Sequence, residues 1–202
     1  RARIRCGCGA RTGCGTCLDR IDWPRALIDI KLVCEEDDTE TIAALLALQP
    51  GPQFEIVTVP SIGPRTKPKA LTYALSSARG EFLAIYDAEV RPHPQQLREA
   101  YLTFLKGPAE LVCLQAPLII ANARQSPLSA LFSLEYSALF RGLLPMLARR
   151  RMPLPLGGTS NHFKTAILKQ VGGWDPYNVT EGEDMGLRLY PLGYRSDVLS
   201  CQ

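Results

Sequence analysis

Phe82-Leu83-Ala84-Ile85-Tyr86-Asp87-Ala88-Glu89 is the stretch whose reading decides the fold. Five apolar residues in a row, closed at once by acidic ones, are too short for a helix and read as a strand buried on both faces. Working outward, the same kind of run recurs with helical spacing between. Upstream, Pro68 to Ser77 reads as a helix with Pro near its start, and Gly80 ends it. Phe54 to Val59 is a β-branched strand, Thr39 to Leu48 a helix closed by Pro50-Gly51, and Ile28 to Val33 a short apolar strand. Downstream, Leu97, Ala100, Tyr101, Phe104 and Leu105 give the stripe of an amphipathic helix. Leu111 to Gln115 is a fourth strand. Leu128, Leu131, Phe132, Leu139, Leu143, Met146 and Leu147 mark a long helix with one buried face. Strands alternating with helices predict an α/β domain, a mostly parallel sheet flanked by helices, over residues 18–202.

Composition excludes several classes. The 202 residues are 46% hydrophobic and 21% charged, ordinary for one globular domain. A net charge of +3 with scattered basic residues does not point to nucleic acid. Arg149-Arg150-Arg151 reads as a solvated helix end that complements the helix dipole, with a phosphate or membrane contact as the alternative. No run approaches the roughly 18 apolar residues of a membrane span, and no apolar stretch follows the N-terminal arginines as in a signal peptide.

Residues 1–17 differ from the rest. Gly, Arg and Cys dominate, hydrophobic periodicity is lacking, and the segment is expected to be a disordered leader. Cys6, Cys8, Cys14 and Cys17 could ligate zinc through four thiolates, although a zinc ribbon normally separates its two pairs by a longer excursion. Cys34 and Cys113 lie inside apolar runs and read as small buried hydrophobes.

In open α/β sheets, ligands bind at the carboxyl ends of the strands. The polar residues there are Glu35-Glu36-Asp37-Asp38, Asp87-Ala88-Glu89 and Gln115. Acidic groups at neighbouring strand ends repel unless a cation or donor lies between them. Two carboxylates separated by one residue can face one Mg²⁺ or Mn²⁺, hard ions that share such ligands with substrate phosphates.

Several motifs in one order carry a resemblance. Lys67-Pro68-Lys69-Ala70-Leu71, Gly80-Glu81-Phe82, Tyr86-Asp87-Ala88-Glu89 with Arg91-Pro92, Gln115-Ala116-Pro117-Leu118, Pro155-Leu156-Gly157-Gly158-Thr159-Ser160-Asn161-His162-Phe163 and Gly172-Gly173-Trp174-Asp175-Pro176-Tyr177-Asn178-Val179-Thr180-Glu181 resemble family 2 inverting glycosyltransferases. The nearest group is the bacterial processive, cellulose-synthase-like β-glycan synthases. The resemblance implies a GT-A, Rossmann-like fold and a hexosyltransferase taking a nucleotide-sugar donor, UDP-linked as a rule, to a glycan acceptor with inversion. It implies Asp38, Lys69 and Asp87 for the nucleotide, and Asp87 and Glu89 for Mg²⁺ or Mn²⁺. Gln115, Asn161, His162 and Trp174 would border sugar and acceptor. Asp38 also reads as a helix cap, Lys69 as a solvated helix residue, His162 as half of a polar loop pair, and Trp174 as core. Full-length relatives would work at the cytoplasmic face of the inner membrane, attached through segments this chain lacks; the chain itself reads as cytoplasmic.

Two large departures and a smaller one at Val90 qualify that reading. The family's base is the Asp of a Thr-Glu-Asp motif, and Gly182 stands in its place. Loss of a general base costs about 10²- to 10⁴-fold, so impaired turnover is expected, with Gly182→Asp the faster variant. Glu181, Glu183 and Asp184 are the candidate substitutes, while Thr180-x-x-Glu183 reads equally as a capping box and Asp184 as a partner of Arg188. Val90 stands where the group commonly has another Asp. The first strand is expected to be missing, since family-like sequence resumes abruptly at Leu18, as after a frameshift or misplaced gene start. The alternative function is a non-catalytic nucleotide-sugar-binding remnant, with a zinc module at the start as the lesser one.

Overall fold

The computed structural model describes residues 2–7, 18, 20–178 and 180–200. In chain order the first elements are β1 (Ala2–Gly7), β2 (Ile30–Glu35), α1 (Thr39–Ala47), β3 (Phe54–Val59), α2 (Lys67–Leu75), β4 (Phe82–Asp87) and α3 (Gln96–Lys106). There follow β5 (Leu111–Gln115), α4 (Pro127–Ser137), α5 (Leu144–Arg149), β6 (Asn161–Lys164), α6 (Thr165–Gln170), α7 (Glu181–Leu189) and β7 (Arg195–Val198). The strands form one sheet in the order β3-β2-β1-β4-β6-β5-β7. All run parallel except β6, which is antiparallel to both β4 and β5. This is the mostly parallel, helix-flanked α/β sheet that the alternation of runs predicts.

The expectation of a missing first strand is corrected. β1 pairs with β2 (Ile4 opposite Ile30) and with β4 (Ile4 opposite Ala84), filling the position between them. The physical reason is the backbone itself. Without β1, the facing edges of β2 and β4 would carry unpaired N–H and C=O groups in the middle of the sheet. The leader reading therefore fails for residues 2–7. Residues 8–17, with Cys8, Cys14 and Cys17 of the proposed zinc set, lie outside the described residues.

The central strand β4 shows why the sheet needs cover on both faces. Leu83 and Ile85 join a core with Leu71, Leu75, Phe140, Leu144, Phe163, Trp174 and Met185. Ala84 and Tyr86 point to the other face, with Ile30, Leu32, Leu45 and Leu97. Phe82 stacks on Phe104 of α3 at 5.0 Å between centroids. Truncating Leu83 (1% exposed) to Ala would cost about 2–5 kcal/mol through lost burial and the cavity left behind. Cys34 and Cys113 are buried free thiols, as expected, and burial raises the pKa of both.

The long helix departs from the sequence reading. Ser126 caps α4 in a capping box with Ser129, and Pro127 occupies its first turn. A π-helical turn, Ala138–Leu143, then leads into α5. Pro145 lacks the N–H that would return to the carbonyl of Arg141, which accounts for the widened turn just before it. Phe140, Leu144 and Ala148 are buried, but no residue of α4 is. The buried face of the second half is therefore not the expected one, since Leu143 and Met146 are exposed and Leu139 and Leu147 only partly buried. Leu128, Leu131 and Phe132, whose spacing suggested core, are exposed.

Candidate functional site

A cleft of about 440 Å³ opens at the carboxyl ends of β2 and β4, lined by Glu35, Asp38, Arg65, Lys67, Asp87 and Glu89 among others. Lys67 opens α2, where Pro68 fixes the first turn. Its Nζ lies 2.6 Å from Asp87 Oδ1 and 3.3 Å from Glu181 Oε1, and it donates to the Gly158 carbonyl. A cation at a helix N-terminus opposes the dipole. Two carboxylates and a carbonyl offset that cost here. Lys69 Nζ lies 3.0 Å from Glu35 Oε2 and donates to the Pro60 carbonyl at 2.9 Å, while Arg65 pairs with Asp37. The acidic strand ends are therefore separated by cations, as their mutual repulsion requires. Burial raises the Asp87 carboxyl above its ordinary pKa, and the hydrogen bond from Lys67 works against that rise. The Asp87 N–H donates to Thr159 Oγ1 at 2.9 Å.

Asp38 serves in both of its expected places. It lines the cleft and its side chain accepts the Thr41 N–H at 3.1 Å, capping α1. Lys69 is not a solvated helix residue; it joins the ends of β2 and β3. Glu89 is exposed at the cleft rim, two residues beyond the more buried Asp87. Among the described residues no group of three or more His, Cys, Asp or Glu side chains could hold a metal by itself. Asp87 and Glu89 have the hard oxygen chemistry that Mg²⁺ or Mn²⁺ takes, and as a pair they would leave further ligand positions open.

Behind the lining residues Lys67 and Asp87 runs the segment from Gly157 to Asn161, here termed the rear wall, which meets them through Gly158 and Thr159 and is tied down by buried amide side chains. Gln115 donates to the carbonyls of Ala116 (2.8 Å) and Thr159 (3.0 Å) and accepts the Gly157 N–H (2.8 Å). Asn161 donates to the Gly157 carbonyl, and Ser160 holds a left-handed backbone with φ of 58°. Such a conformation costs of order 1–3 kcal/mol in a residue with a Cβ and persists only where its surroundings enforce it. Gln115, Asn161 and His162 are all buried. His162 Nε2 lies 3.2 Å from the Tyr86 hydroxyl, which donates to Gln96 at 2.5 Å. Burial pushes the His162 pKa down to about 4, leaving a neutral imidazole. Trp174 does not face the cleft. It is 3% exposed and meets Phe163 edge-on at 5.8 Å, which resolves its two readings in favour of core.

Helix α7 separates its acidic residues by direction. Glu181 reaches Lys67. Glu183 is exposed, and Thr180 makes no side-chain cap, so the expected capping box does not form. Thr180 Oγ1 donates to Asn178 Oδ1 instead. Asp184 meets Arg188 at 3.3 Å, and that arginine also donates to the carbonyls of Gly173 and Val171. Gly182 faces backbone: a Cβ there would lie 2.4 Å from the Gly157 carbonyl oxygen and 2.7 Å from that of Leu156. The expectation that aspartate at 182 restores a base meets this wall, because α7 packs too closely for any side chain. Lys67, Gly158 and Thr159 were not singled out from sequence. The signal for Lys67 was its place immediately before the proline that starts a helix at a strand's carboxyl end.

Comparison with known proteins places the architecture and then the family. A mannosyltransferase from Pyrobaculum calidifontis, solved with GDP-Man and Mn²⁺, superposes with a TM-score of 0.74 at 19% identity, over 98% of this chain and 53% of its own. TarS of S. aureus (residues 1–349) superposes at 0.72 with 15% identity, over 100% of this chain and 58% of its own. These define the class as a GT-A fold. The chain belongs to glycosyltransferase-like family 2, whose family model matches residues 14–200. Probable glucomannan 4-beta-mannosyltransferase 15 of Arabidopsis thaliana is 24% identical over 57% of this chain and 21% of its own length. Probable glycosyltransferase YdaM of Bacillus subtilis is 22% identical over 69% and 33%. The chain thus spans about a fifth to a third of the curated relatives it matches.

Proposed function

We propose that this chain transfers a hexose from a nucleoside-diphosphate sugar, UDP-linked in the first instance, to a glycan hydroxyl with inversion. The observation that carries the reading is the Lys67 ammonium, which ties Asp87 of the donor-side strand to Glu181 of the helix across the cleft. Lys67 and Arg65 offer positive charge to a diphosphate, and Asp38 lies where the nucleoside would sit. Asp87 and Glu89 would hold Mg²⁺ or Mn²⁺, which when bound supplies charge neutralisation for the departing diphosphate. The solved mannosyltransferase with GDP-Man and Mn²⁺ supports that ligand chemistry, as does TarS with UDP-GlcNAc.

Inversion needs a base on the acceptor side. Gly182 offers none, Glu183 points to solvent, and Asp184 meets Arg188, which is anchored to the Gly173 and Val171 carbonyls and not to any residue lining the cleft. Glu181 is the carboxylate of this helix turn that reaches the cleft, and we assign it the proton-accepting role. The test is turnover of UDP-hexose with Mn²⁺ in three proteins. Glu181→Gln is expected to lose about 10²- to 10⁴-fold in rate while Glu183→Gln retains it; equal losses would remove the assignment.

Gly182 favours a second reading, a nucleotide-sugar-binding domain without turnover. It predicts metal-dependent UDP binding by calorimetry, lost in Asp87→Ala, with no sugar released. We place the domain on the cytoplasmic side, as the family resemblance implies. Among the described residues no helix is long and apolar enough to cross a membrane.

A further inference from the structure

The Lys67 ammonium is seated as a bound ion would be. Its oxygen partners are Asp87 Oδ1 at 2.6 Å, Glu181 Oε1 at 3.3 Å and the Gly158 carbonyl. They come from three separate places: the last residue of β4, the first residue of α7 and the rear wall. Two carboxylates and a carbonyl are also the hard oxygen donors that Mg²⁺ and Mn²⁺ take. The seat is closely fitted, since a Cβ on Gly158 would stand 3.3 Å from Glu181 Oε1 and 3.6 Å from Lys67 Nζ. Asp87 is fixed from behind as well, its N–H donating to Thr159 Oγ1.

Asp87 therefore has two cations to serve. A divalent ion on Asp87 and Glu89 would lie beside the ammonium and share one carboxylate with it, and like charges so placed repel. As long as no nucleotide is bound, the ammonium has the advantage. It is tethered to the cleft, which raises its local concentration, and a second carboxylate and a carbonyl already hold it. Among the described residues no three His, Cys, Asp or Glu side chains gather to outbid it for a metal. A nucleoside diphosphate shifts that balance. It carries negative charge and hard oxygens of its own, so it offers the ammonium another partner and a metal further ligands. Lys67 is able to follow. Its backbone is fixed in the first turn of α2 beside Pro68, whereas its stem is flexible and its side chain is 30% exposed.

We propose that Lys67 is a tethered counter-ion that keeps the divalent metal off Asp87 until a nucleoside diphosphate draws the ammonium away. Metal and donor then bind as a coupled pair, and the same displacement releases Glu181. This role of Lys67 rests on the donor-site reading of the cleft and concerns the order of binding rather than the transfer.

The test follows Mn²⁺ binding to the whole chain by the loss of the free-ion electron paramagnetic resonance signal. Without nucleotide the parent should bind Mn²⁺ weakly, and Lys67→Met about 10- to 100-fold more tightly, the range for one ammonium's repulsion between water and a protein surface. Lys67→Gln keeps a donor for the Gly158 carbonyl and should behave alike, which covers the case that circular dichroism finds the methionine variant unfolded. Lys67→Arg keeps the charge and should bind as weakly as the parent. Adding Asp87→Asn to Lys67→Met should remove the gain. UDP should raise the Mn²⁺ affinity of the parent far more than that of Lys67→Met, which has no ammonium to displace. Equal Mn²⁺ affinity of the parent and the neutral variants overturns the proposal and leaves the donor site standing. So does a gain in Lys67→Arg that matches Lys67→Met, or one that survives Asp87→Asn. If calorimetry finds no UDP binding to the parent with Mn²⁺ present, the donor-site reading falls, and this role of Lys67 with it.

Discussion

Replacing Gly182 tests the packing of α7 most directly. A Cβ at 182 would stand 2.4 Å from the Gly157 oxygen, 2.7 Å from the Gly157 carbonyl carbon and 2.7 Å from the Leu156 oxygen. All three are backbone atoms, so no side-chain rotation relieves the contact. Helix propensity alone favours Ala over Gly by roughly 1 kcal/mol. Overpacking costs about 1–3 kcal/mol, and a contact with rigid backbone belongs in the upper part of that range, about 2–3 kcal/mol, so Gly182→Ala should come out destabilised by about 1–2 kcal/mol. Gly182→Asp adds a carboxylate in a buried position without a partner, a further cost of about 1–3 kcal/mol, for a total near 3 kcal/mol. At about 2–4 °C per kcal/mol for a chain of this size, the aspartate variant should melt roughly 6–12 °C lower. Urea unfolding followed by circular dichroism measures both, with exposed Glu183→Ala as a control expected near zero. Nucleotide affinity of Gly182→Asp should also fall, since displacing Gly157 shifts the Gly158 carbonyl that holds the cleft-lining Lys67. The reasoning is refuted if Gly182→Ala is as stable as the parent and Gly182→Asp speeds turnover. The residue would then be a lost base after all.

Three further outcomes follow from the same geometry. Lys67→Met removes the charge that joins Asp87 and Glu181, and should weaken UDP binding about 10- to 100-fold; unchanged calorimetric affinity would place Lys67 outside the diphosphate site. Gln115→Leu leaves two carbonyls and one N–H of the rear wall without their buried partner, and should cost about 3 kcal/mol in urea unfolding. A loss under 1 kcal/mol would mean that the wall holds itself. His162 has a folded pKa of about 4, below that of an unfolded histidine. Its contribution is therefore complete above about pH 6.5 and is lost as pH falls toward 4. The loss should be roughly 3 kcal/mol, visible as a flatter stability profile over that window in His162→Gln, whereas parallel profiles would assign acid sensitivity to other groups.

Sequence periodicity found β2 to β5 and the helices between them, because each is a run bounded by turn residues and covered on its own. It missed β1. A central parallel strand normally reads as continuous apolar sequence, whereas Ala2-Arg3-Ile4-Arg5-Cys6 alternates, and the Gly and Cys around it looked like a leader. β6 was read as loop because Asn161-His162-Phe163-Lys164 is mostly polar, and its pairing with β4 and β5 supplies what propensity lacks. Of the residues named from the family motifs, Asp38 and Asp87 line the cleft and Glu181 meets Lys67 there. They could not show that Gly182 faces a carbonyl or that Trp174 is closed off, since both depend on how α7 and the segment from Gly172 pack. The exposure of Leu128, Leu131 and Phe132 was equally hidden. Helical spacing shows that a face exists, and says nothing about what covers it.

The antiparallel strand β6 has a consequence for synthesis. β4 and β5 are complete by Gln115, yet they are not hydrogen-bonded to one another. Their edges wait for Asn161 to Lys164, which pair Leu83 with Phe163 and Cys113 with the same residue. While the intervening residues are still being made, two apolar strand edges stand open, a state prone to sticking to other chains. The strand that closes that gap starts at Asn161, the last residue of the rear wall. A nascent chain stopped near Arg150 should therefore partition to the insoluble fraction, and one extended past Lys164 should not; equal solubility of the two would show that β4 and β5 are protected by some other means.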